Sequence, residues 1–62
     1  MFPLVQIFDL LPEGHLIHLC NASGDHLCTA SCPAVIPWKY RDKFVKSVTQ
    51  EVDLIKITLY WP

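Results

Sequence analysis

The stretch "VDLIKITLYW", residues 52–61, constrains the fold more than any other part of the chain. Ile55, Ile57, Leu59 and Trp61 fall on one face of an extended segment. Lys56, Thr58 and Tyr60 fall on the other, together with Leu54. A period of two, built from β-branched and aromatic residues, predicts a β-strand buried on one side. A strand cannot satisfy its own backbone donors and acceptors. The rest of the chain must therefore supply neighbours for it and something apolar to cover its buried face.

Neighbours are at hand. "HLIHLC" (15–20) and "HLCTAS" (26–31) are two short runs separated by "NASGD", a cluster of turn-forming residues, so a β-hairpin is predicted. "LVQIFDL" (4–10) is compatible with two structures. As a strand, Val5 and Ile7 share a face. As a helix opening at Pro3, Leu4, Ile7, Phe8 and Leu11 form a stripe. The strand is preferred because the run is short and its apolar residues are mostly β-formers. "LPEG" (11–14) then reads as a type I turn, with Pro12 second and Gly14 fourth. Pro33 and Pro37 bracket a short extended piece, since the residue before each proline avoids the helical region.

From Pro37 the period changes. In "PWKYRDKFVKSV" (37–48), Trp38, Tyr40, Phe44, Val45 and Val48 gather on one side of a helical wheel. Lys39, Lys43 and Lys46 gather on the other, and Arg41 interrupts the apolar side. The predicted architecture is therefore α+β: a small two-layer domain with element order β-β-β-α-β. It is an antiparallel meander covered by one amphipathic helix. A small open β-barrel with one helix is the alternative.

The 62 residues allow a single domain spanning residues 1–62. A domain of that size buries only about 60% of the surface its unfolded chain exposes. Yet 52% of the residues are apolar and only 18% charged, against a usual charged share of about 25%. So much apolar surface implies a protein partner or self-association as a homodimer. The function that follows is a non-enzymatic interaction module, regulatory or accessory, acting through an apolar surface or a sheet edge. Tyr40, Tyr60 and Trp61 are the candidate anchors, because aromatic side chains dominate interface energetics. Trp61 also lies on the inward face of the last strand, which makes it a core candidate.

All three histidines and all three cysteines lie in "HLIHLCNASGDHLCTASC", residues 15–32. This raises a second function, a small zinc-binding domain. If "NASGD" is a five-residue loop, Cys20 sits opposite His26 and His18 opposite Cys28. Then all four side chains project from one face, a plausible ligand set. A two-residue turn at Ser23-Gly24 splits the set, because one residue of slip reverses the faces of a strand. The spacing lacks Cys-x-x-Cys, and free cysteine commonly packs as a small hydrophobe. No cofactor is otherwise implied.

A third function, nucleic-acid binding, would use Lys39, Lys43 and Lys46 along phosphates with Trp38 and Tyr40 stacking on bases. The net charge of −1 does not favour it, although all five basic residues follow Trp38. Enzymatic activity is not expected. There is no glycine-rich phosphate loop, nucleophile elbow or paired-carboxylate pattern. So short a chain also leaves little room for a pocket of about 300 Å³. A membrane span of about 20 apolar residues is absent, and "MFPLVQIFDLLPEG" has no positive leader region. An odd number of cysteines fits a secreted disulfide framework poorly. A cytoplasmic setting is expected, and "NAS" (21–23) is read as turn sequence.

Overall fold

The computed structural model describes residues 2–61. The C-terminal strand predicted from the alternating pattern is present, as β4 (Leu54–Leu59), and it lies inside the sheet. On one side it pairs in parallel with β1 (Leu16–Cys20), Ile17 against Ile55 and Leu19 against Ile57. On the other it pairs antiparallel with β3 (Val45–Gln50), Val48 against Ile57. β2 (His26–Ala30) adds to the far side of β1, so the order is β2-β1-β4-β3. Two hairpins thus meet along β1 and β4. The predicted two-layer α+β domain holds, with four strands and one helix. The sheet is mixed rather than an antiparallel meander, and it is open rather than a barrel.

Burial follows the alternation. Ile55, Ile57 and Leu59 of β4 are buried, as are Ile17 and Leu19 of β1, Ala30 of β2 and Val45 of β3. Leu4 and Ile7 from the N-terminal segment, Ile36 and Tyr40 complete the core from the covering layer. Burying a side chain of this size contributes about 1.5–3 kcal/mol.

Three elements differ from the sequence expectation: the piece bracketed by Pro33 and Pro37 holds a 3-10 turn, Pro33–Val35, in place of an extended run, and two longer segments change type. Leu4–Leu10 forms a 3-10 helix, not a strand. Its buried residues are Leu4 and Ile7, three apart, which is the 3-10 repeat. Phe8 and Leu11 pack beside them, so the inward stripe is the helical alternative and Val5 is exposed. Likewise the amphipathic helix shrinks to one turn, α1 (Trp38–Arg41). Lys43 N–H donates to Tyr40 O at 3.1 Å and closes it. The chain then enters β3, because central β4 needs a second partner and "VKSVTQ" is rich in β-branched residues.

Arg41 ties the crossing segment 31–44 to itself and to Phe8 of the N-terminal segment. Its Nε donates to Ile36 O (3.0 Å) and its Nη2 to Ala34 O (3.0 Å) and Pro33 O (3.5 Å). These carbonyls belong to the 3-10 turn Pro33–Val35 and the residue after it; Pro33 O also accepts Ile36 N–H at 3.1 Å, whereas those of Ala34 and Ile36, at the C-terminal end, are left for the guanidinium. The guanidinium also lies over the rings of Trp38 (4.1 Å) and Phe8 (5.4 Å). Among the described residues no helix is long and apolar enough to cross a membrane.

Candidate functional site

The histidine- and cysteine-rich hairpin turns on one loop. Asn21 is 8% exposed, and its Oδ1 accepts from Ser23 N–H (3.0 Å) and Asp25 N–H (2.8 Å). Asn21 N–H donates to Asp25 O (2.9 Å), and Gly24 N–H donates to Asn21 O (2.9 Å). Gly24 sits at φ +91, a conformation open to glycine. The loop is therefore the five-residue form, with Cys20 opposite His26. A bulge follows at once. Leu19 pairs with Cys28 and His18 with Thr29, so Leu27 has no opposite residue.

That extra residue divides the predicted metal set. His18, Cys20 and His26 stay in phase on the outer face, while Cys28 turns to the core side and packs there half-buried. Burial raises the Cys28 thiol pKa, opposed by the charge of Lys39. The His18 and His26 rings meet edge to face at 4.3 Å. His26 Nε2 lies 2.7 Å from Thr29 Oγ1. Burial lowers the His18 pKa, and the charges of His26 and Lys56 act in the same direction, with Glu51 opposing. Among the described residues no three His, Cys, Asp or Glu side chains gather closely enough to hold an ion. Cys20, Cys28 and Cys32 are free thiols.

The three lysines do not form a helical stripe. The Lys39 ammonium lies 5.1 Å from the Tyr40 ring centre and that of Lys43 4.5 Å from the Trp61 ring centre. Tyr40 and Trp61 meet edge to face at 5.8 Å. Two lysines thus pack over an aromatic pair, whereas Lys46 stands at a bulge of β3. Of the candidate anchors, Tyr40 belongs to the core, at 7% exposed, and Trp61 packs against it. Tyr60 is exposed. Trp38, expected on the buried side, is 78% exposed.

The order β2-β1-β4-β3 leaves two edge strands, β2 and β3, and β3 lies where the helical period of 37–48 predicts a helix. At its N-terminal end the edge is covered: Val45 N–H donates to Phe2 O (2.9 Å), and Pro3 bridges Phe44. Further along, Glu51 N–H donates to Leu54 O (2.7 Å) and closes the β3–β4 hairpin. In an antiparallel ladder, bonded pairs alternate. Ser47 and Thr49 therefore bond to β4, opposite Thr58 and Lys56, while Val48 and Gln50 turn their N–H and C=O to the open edge. Beside that edge runs an apolar groove of about 210 Å³, lined by Ile7, Leu10, Pro12, Val48 and Gln50 among others. Leu10 is 78% exposed and Val48 47%. The β-branched content of "VKSVTQ" was the signal for this edge; the helical wheel masked it.

A second cleft, of about 500 Å³, lies between the end of the N-terminal 3-10 helix, the "LPEG" turn and residues 31–33. Phe8, Leu11 and Pro33 line it together with Asp9, His15 and Cys32. Its volume falls in the range of ligand sites, so chain length alone was a poor guide to pocket size. His15 Nδ1 faces Glu13 O at 3.3 Å, and no hydrogen bond among the described residues joins it to Cys32. No family model, curated protein or solved structure matches this chain.

Proposed function

We propose that this protein is a non-enzymatic interaction module that binds protein through the open edge of β3. The ligand is an extended polypeptide segment. It pairs with Val48 and Gln50 as an added strand and lays an apolar side chain in the groove beside Leu10. The observation that carries this reading is the coincidence of unpaired edge groups and an apolar groove on one strand. Main-chain bonds then supply affinity and the groove supplies selectivity, as in strand addition generally. The composition fits as well, since the domain leaves Leu10 and Val48 uncovered by its own chain.

A displayed library of random extended peptides tests this. Selected binders should shift the amide resonances of Ser47–Gln50 and Leu10 in the folded protein. Val48→Pro should abolish them, because it removes an edge donor without touching the β4 ladder. Binders that shift only the Lys39/Lys43 region or the larger cleft would overturn the reading.

A further inference from the structure

The residues along the open edge of β3 are complementary to themselves, and we infer that its occupant is β3 of a second copy, paired antiparallel about a two-fold axis at Thr49. This rests on the interaction reading above and names its partner. Only Val48 and Gln50 turn backbone groups outward past the covered end of the strand. With the axis at Thr49, Val48 of each copy stands opposite Gln50 of the other, and each such pair exchanges both backbone bonds. The two Thr49 side chains face each other, a favourable cross-strand pair. An axis at Val48 instead asks the bulged Lys46 to pair with Gln50. An axis at Gln50 places Val48 against Val52, beyond the end of the strand.

Charge selects the same register. Lys46 carries the single charge within β3, and Glu51 follows the strand directly. With the axis at Thr49, Ser47 faces Glu51 of the other copy, so Lys46 is set beside that carboxylate, and the symmetry repeats the match. Both side chains are exposed and neither has an ion-pair partner within its own described chain. A lysine on an edge strand ordinarily discourages pairing; here the opposed glutamate neutralises it. The two apolar grooves then border one continuous sheet. The contact is isologous and closes as a dimer.

Charge reversal tests the register. By sedimentation velocity and native mass spectrometry, the wild-type protein should form a dimer of the 7.1 kDa chain as concentration rises. K46E and E51K should each weaken dimerisation by about tenfold at low salt, since each sets like charges together twice. Mixed in equal amounts, the two variants should recover it as a heterodimer, because every reversed charge then meets its opposite. Both positions are exposed, and circular dichroism will confirm that both variants fold. A wild type that stays at the monomer mass, or a dimer indifferent to both reversals, overturns the inference. If the monomer still takes library peptides at β3, the interaction reading stands with a different partner. If it takes none, both fall.

Discussion

Replacing Asn21 with alanine should cost this domain a large part of its stability. Asn21 Oδ1 accepts two backbone N–H groups, those of Ser23 and Asp25, at 3.0 and 2.8 Å. Each such bond contributes about 0.5–1.5 kcal/mol net. The loop is exposed beyond Asn21 itself, so water replaces part of the loss. A cost of about 2 kcal/mol follows. Stability of about 0.05–0.15 kcal/mol per residue gives the whole chain about 3–9 kcal/mol. At about 4–8 °C per kcal/mol for small domains, the melting temperature should fall by about 8–16 °C. Urea and thermal unfolding followed by circular dichroism measure this. Asn21→Asp keeps the acceptor oxygen and should retain most of the stability. Because the same loop sets the hairpin register, N21A should also speed alkylation of Cys28. An N21A protein within about 0.5 kcal/mol of wild type would refute the reasoning, given the bond strengths assumed. So would an N21D protein as unstable as N21A.

Two further outcomes follow from the hairpin. In the folded protein, Cys32 should alkylate first, the half-buried Cys28 with its raised thiol pKa much later, and the buried Cys20 only on unfolding; mass mapping of a labelling time course checks the order, and early labelling of Cys20 would contradict it. Burial and the neighbouring charges of His26 and Lys56 hold His18 below 6.5, so the unfolded chain binds more protons as pH drops past that value. The His18 contribution is thus complete above about pH 6.5 and declines on acidification towards the lowered folded pKa; urea midpoints at pH 7.5 and 5.5 should show this, and His18→Gln should flatten it.

Short-range pattern carried most of the fold. The period-two face of Ile55, Ile57 and Leu59 is buried as read, and "NASGD" does make the loop of a hairpin. Where sequence reasoning went astray, two periods were both present. "LVQIFDL" carries β-forming residues and a helical stripe, and packing of Leu4 and Ile7 under the sheet selected the stripe. "KFVKSV" carries a helical wheel and β-branched residues, and the open side of β4 selected the strand. In each case the deciding contact comes from residues distant in sequence, which a local pattern cannot contain.

The candidate sites divide along the same line. Residue types and the loop chemistry of Asn21 and Gly24 belong to the sequence, since an Asx-type turn is made within five residues. The bulge at Leu27 does not, and it alone sends Cys28 to the core while His18 and His26 remain outside. The open edge depends on still more distant partners: β1 takes one side of β4, β3 takes the other, and Phe2–Leu4 cover only one end of β3. Sequence by itself determined that 15–20, 26–31 and 52–61 are strand-like, that a turn joins the first two and that apolar surface exceeds what 62 residues can bury. Tertiary structure decided which strands are left at the edges and which face each side chain takes. Pairing and register are set by contacts between segments, and one unmatched residue reverses every side chain beyond it.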